Sequence, residues 1–149
     1  MDRFAQILFD LSKELDVDLY PDQNRICQLN YHDELHIQIQ YDEPKEQVLL
    51  ATFVCEVPPG KYREKLLRAG LINNREYPRP GTLSYSEKNN KLTLFEYVFA
   101  PNLTGEKLLK VLQAFIEKAK TWKDAVENGR PLPIKPPKGG GKSMFGMKP

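Results

Sequence analysis

At 149 residues the chain is long enough to bury one core without help from disulfides or metal, so it reads as a single compact body. Its two cysteines form no CxxC pair and no apolar run reaches the ~18 residues of a membrane span, which argues against a disulfide scaffold, a zinc ribbon and a spanning helix. The net charge of +2 hides a division: residues 1–59 hold 12 acidic against 4 basic side chains, residues 60–129 hold 8 against 13, and residues 130–149 hold 5 basic groups and no acid.

Residues 2–15 place Phe4, Leu8, Leu11 and Leu15 at spacings of four, three and four, with Ile7 alongside, which is the apolar stripe of an amphipathic helix with Asp2 as N-cap. Asp2, Asp10 and Glu14 stand where a secretory leader carries basic residues, so a cytoplasmic location is expected. A polar loop with Pro21 follows. Residues 25–31 alternate with Cys27, Leu29 and Tyr31 on one side, and Asp33 and Glu34 make a tight connection to residues 35–41. There Leu35, Ile37, Ile39 and Tyr41 face one way and His36, Gln38 and Gln40 the other, a strand with one buried and one wet side.

Residues 47–57 (QVLLATFVCEV) are apolar on both faces of a strand, Val48, Leu50 and Val54 alternating with Leu49, Ala51, Phe53, Cys55 and Val57. Such a strand must be covered twice, either as a central strand buried in the chain's own core or as a strand of an antiparallel sheet whose second face meets another chain. In the second case either Leu50 and Val54 or Leu49 and Phe53 should line an accessible groove; if helices cover both sets, Phe4 and Leu8 become the alternative surface.

Pro58, Pro59 and Gly60 break the sheet, and helical spacing resumes from Lys61 through Tyr62, Leu66 and Leu67 towards Asn73. Residues 82–86 and 91–100 form a second strand pair around a turn at 87–90, the later strand showing Leu92, Leu94 and Val98 opposite Phe95, Tyr97 and Phe99. Thr104 caps a last helix over residues 105–128, with Leu108, Leu112, Phe115, Ala119, Trp122 and Val126 as its stripe and Gly129 as its stop. From residue 130 the composition turns to Pro, Gly and Lys, a flexible basic tail with Met144, Phe145 and Met147 as a small apolar hook.

No catalytic constellation emerges. His32 and His36 are four apart, but on a strand that separates them by about 13 Å, so they make no metal pair. The run Gly139, Gly140, Gly141, Lys142 follows prolines rather than a strand, so it is no phosphate loop. No metal or cofactor site and no enzymatic activity are expected. The basic tail leaves open binding to nucleic acid or the transcription machinery, which would be salt-dependent and lost on removing residues 130–149.

The order helix, three strands, helix, two strands, helix, with the segments PDQNRICQLNY, LHIQIQY, QVLLATFVCEV ending in PPG, KYREKLLRAG and KLTLFEYVF before GEKLLKVLQAF, resembles the class I type III secretion chaperones of the Tir-chaperone-like family across residues 1–129. The resemblance implies an α+β fold, a twisted antiparallel sheet packed with helices, dimeric as a homodimer or with a related chaperone. It implies binding of the extended N-terminal segment of a secreted effector, without nucleotide or metal. Transferred by position, the effector-binding candidates are Phe4, Leu8, Leu50, Phe53 and Val54, and the dimer-interface candidates are Tyr62, Leu66, Leu67, Leu83, Tyr85 and Leu94. Each also suits a core position. Residues 130–149 lie outside the resemblance.

Overall fold

The computed structural model of the protein describes residues 2–134, so the hook at Met144, Phe145 and Met147 lies outside the described residues. The order is α1 (Arg3–Leu15), β1 (Ile26–Tyr31), β2 (Leu35–Asp42), β3 (Gln47–Glu56), α2 (Lys61–Asn73), β4 (Thr82–Ser86), β5 (Lys91–Phe99) and α3 (Gly105–Glu127). The five strands form one antiparallel sheet in the order β1-β2-β3-β5-β4. This is the expected α+β architecture, with α2 carrying the chain from β3 past β5 to the far edge.

Local chemistry sets the element ends. The Asp2 carboxylate accepts from the Ala5 amide at 2.7 Å and the Thr104 hydroxyl from the Lys107 amide at 3.1 Å, each satisfying an otherwise orphaned donor at a helix start. At the first hairpin Tyr31 pairs with Leu35, His32 and Asp33 both have positive φ, and the Glu34 amide donates to the Tyr31 carbonyl, so three residues connect the strands. Asp33 and Glu34 lie in the tight connection as expected, and His32 joins them as a turn residue rather than part of a strand.

The core lies between one face of the sheet and the helices. Phe4, Ile7, Leu8 and Leu11 of α1 and Leu108, Leu112, Phe115 and Trp122 of α3 pack with Leu35, Ile37 and Ile39 of β2, Val48, Leu50 and Val54 of β3 and Leu92 and Leu94 of β5. α1 and α3 meet closely where Gly105 faces the Asp10 backbone. Arg3 ties the start of α1 to the carbonyls of Ala100 and Leu103 at 2.7 and 3.0 Å.

β3 departs from strict alternation. Its pairing with β5 slips between Phe53 and Cys55, where Phe53 opposes Thr93 and Cys55 opposes Leu92 with Val54 as the extra residue of a β-bulge. Val54, Cys55 and Val57 are consequently all buried. The expectation that Cys55 and Val57 share a face with Leu49 and Phe53 is corrected: one inserted residue turns them towards the helices.

Both cysteines are free and buried, and desolvation holds their thiols protonated, Cys55 being pushed up to about 11. At pH 8 neither thiol should react with an aromatic disulfide reagent on the seconds timescale, whereas both should react at once in denaturant. Prompt labelling of one thiol in the native protein would contradict this packing.

Candidate functional site

All three helices leave the second face of the sheet bare. On β3 that face carries Leu49, Ala51 and Phe53; on β5 it carries Thr93, Phe95, Tyr97 and Phe99; on β2 it carries His36, Gln38 and Gln40. Direct cross-strand neighbours are Ala51 with Phe95, Leu49 with Tyr97 and Phe53 with Thr93, so β3 and β5 together make one continuous apolar strip with a polar margin on β2. Phe53, Tyr97 and Phe99 are 46%, 52% and 66% exposed. Single exposed apolar residues are ordinary, but aromatic rings aligned on adjacent strands form a contiguous patch of the kind that marks a binding surface.

The strip has internal structure. The Phe95 and Tyr97 rings meet edge to face with centroids 5.9 Å apart, and the Lys91 ammonium stands 5.3 Å from the Phe53 centroid. A shallow cavity of about 270 Å³ opens among His36, Gln38, Ala51, Phe53, Thr93 and Phe95. Its walls are largely apolar, with an imidazole and an amide at one rim. That composition suits an apolar side chain entering from solvent while polar rim groups meet its backbone.

A second apolar groove, of about 210 Å³, runs between α2 and β4 and is lined by Leu67, Gly70, Leu71, Leu83, Tyr85 and Leu92. Leu71 is 71% exposed at its edge. Its walls are pinned from both sides. The Asn74 amide donates to the Leu83 carbonyl at 2.8 Å and accepts from the Leu83 amide at 2.9 Å, so one side chain occupies both backbone groups that Leu83 would otherwise offer at the free edge of β4. Arg63 lies over the Tyr85 ring, bonds its hydroxyl and donates to Asn90 at 2.6 Å, and Asn90 donates to the Val57 carbonyl at 3.1 Å.

A half-buried charge cluster of Arg79, Glu96 and Lys118 sits at β5. Burial lowers the pKa of Lys118, whose ammonium donates to the Gly81 carbonyl at 2.9 Å and is further lowered by Arg79, while burial raises that of Glu96. Among the described residues no group of three or more His, Cys, Asp or Glu side chains is placed to hold a metal ion, and no helix is long and apolar enough to cross a membrane.

Of the positions transferred from the resemblance, Phe4, Leu8, Leu50 and Val54 are at most 2% exposed and face the helix-side core, whereas Phe53 is open. The accessible set on β3 is thus Leu49 and Phe53, not Leu50 and Val54. Leu66, Leu83 and Leu94 are enclosed, while Tyr62, Leu67 and Tyr85 are half-buried against the core. Half-buried Phe95 and the open Tyr97 and Phe99 are visible in the sequence as the second face of an alternating strand.

The family model of the Tir chaperone protein (CesT) family matches residues 6–123. The chain belongs to the Tir chaperone (CesT) family. Its membership covers every element from α1 through most of α3, so both exposed surfaces lie on family-matched residues.

No individual curated protein matches this Tir chaperone family member in sequence. Among solved structures, a chain of the HopA1–SchA chaperone–effector complex superposes with a TM-score of 0.70 at 19% identity, covering 83% of this chain and 94% of that one. A chain of the ExsC–ExsE complex does so with a TM-score of 0.70 at 18% identity, covering 83% and 95%. YbjN of E. coli, described as a putative transcription regulator, superposes with a TM-score of 0.58 at 15% identity, covering 82% and 90%. At such identities the likeness establishes the fold alone, and the fold serves more than one role.

Proposed function

We propose that the protein is a type III secretion chaperone that holds the extended N-terminal segment of a secreted effector, keeping it soluble and export-competent in the cytoplasm. The observation that carries this reading is the uncovered aromatic strip of β3 and β5 in a Tir chaperone family chain. An extended segment lying on the strip places alternate side chains against Phe53, Phe95 and Tyr97, and its apolar residues leave water without collapsing on one another. The work is binding alone: no bond is made or broken, and no cofactor is needed.

The role also suits two copies joined along the α2–β4 groove. Leu71 and Leu67 of each copy would fill the other's groove, extending the surface available to one cargo chain. Residues up to 129 form the binding body and residues 130–149 a separate basic extension, although Leu132 still packs at the core edge.

Co-expression with a secreted protein encoded in the same genomic neighbourhood tests the whole reading. A soluble complex that protects an N-terminal stretch of that protein from protease is expected; complete absence of binding to every exported neighbour would sink the proposal. For the pairing surface, Leu71→Asp should convert a dimer to monomer in sedimentation at micromolar concentration while leaving the circular dichroism spectrum intact. An unchanged dimer would place the interface elsewhere.

A further inference from the structure

The open strip and the chain's own terminus are chemically matched. Beyond Ile134 the only large apolar side chains are Met144, Phe145 and Met147, gathered in one short stretch between Lys142 and Lys148. The strip presents Phe53, Phe95, Tyr97 and Phe99, and thioethers pack favourably against aromatic ring edges while a phenyl ring adds to an aromatic row. Lys91 already sits over Phe53, showing that these rings accept an ammonium group.

Carboxylates stand at both ends, Glu56 with Lys91 as its cross-strand neighbour. Exposed Glu56 closes the β3 end of the strip, and exposed Glu43 and Glu46 flank the other end beside Phe99. Lys142 and Lys148 are up to about 20 Å apart in an extended chain, within the length of the strip.

Val126 and Glu127, near the end of α3, share a surface cleft with Glu56 and Val57, so α3 ends beside the end of the sheet nearest Phe53. Glu56 and Phe53 are three strand residues apart, about 10 Å. From Ile134 to Met144 the chain has ten residues, which span at most about 33 Å.

We propose that residues 144–147 dock on the aromatic strip of their own chain and occupy it until a cargo segment displaces them. Tethering makes even a weak contact count, because the effective concentration of a short flexible segment is of millimolar order. Any ligand for the strip then binds with an apparent affinity reduced by the fraction of molecules whose strip is occupied. The inference extends the export-chaperone reading, but its test contains no cargo, so either can fail without the other.

The test uses the full chain carrying Pro149→Cys with a nitroxide label; buried Cys27 and Cys55 leave the new thiol as the reactive one. Amide signals of Ala51, Phe53, Thr93 and Phe95 should lose intensity several-fold relative to the reduced label. Adding Met144→Ser, Phe145→Ser and Met147→Ser together should restore them. Mixing unlabelled-nitrogen, spin-labelled chain with nitrogen-15 chain separates docking within a chain from docking between chains. Absence of broadening at the strip, broadening that survives the triple substitution, or broadening found only between chains each overturns the proposal.

Discussion

Gly105→Ala should destabilise the protein by about 3 kcal/mol, seen as a fall in Tm of about 10 °C, although the substitution favours the helix it lies in. Intrinsic propensity alone predicts the opposite sign, since alanine in a helix is better than glycine by about 1 kcal/mol. The packing reverses it. A β-carbon at position 105 would stand 2.6 Å from the Asp10 carbonyl oxygen and 2.8 Å from its carbon, and a backbone cannot swing aside as a side-chain tip can. α1 and α3 must separate, opening the layer that holds Phe4, Leu8 and Phe115. Chemical denaturation of the two proteins decides the matter: equal or greater stability for Gly105→Ala would mean that the helices do not meet at this contact.

The largest functional effect is expected from Phe53→Ser combined with Tyr97→Ser. Both side chains are about half exposed, so stability should fall by only about 1–2 kcal/mol. Affinity for the cargo segment should fall roughly 100-fold, because a buried aromatic anchor is commonly worth more than 1 kcal/mol and two of them flank the same track. Gln38→Ser, on the polar margin of the same face, should change affinity less than threefold. Titration calorimetry with a peptide of the protected cargo stretch distinguishes the cases. Full affinity in the double variant would exclude the strip as the binding surface.

Most of the fold is legible in the residues. The helix stripe from Phe4 to Leu15, the alternation from Leu35 to Tyr41 and the Thr104 cap each express a local preference that the packing reinforces, so the element borders agree with the sequence to within a residue or two. The sheet order is not local: nothing near Thr82 says that β5 rather than β4 will pair with β3. The side assignment within β3 depends on a single inserted residue, Val54, which has no signature of its own in an apolar run. The open surface was half legible. Phe4 and Leu8 belong to the same stripe as Leu11, which is fully buried, and a helix with one apolar stripe turns it to the core. The signal for the uncovered face lay instead in Phe95, Tyr97 and Phe99, three aromatics on the face that Leu92, Leu94 and Val98 do not use.

The bulge at Val54 also acts as a ruler. Upstream of it, Leu49, Ala51 and Phe53 step along the bare face at about 6.7 Å intervals; beyond it Cys55 is turned inward and exposed Glu56 takes the next outward place. A guest strand aligned with β3 therefore finds three successive apolar footholds over about 13 Å and then a carboxylate. Guests should be selected for a five-residue phrase with apolar side chains at its first, third and fifth positions, followed two residues later by a basic or polar side chain rather than another apolar one.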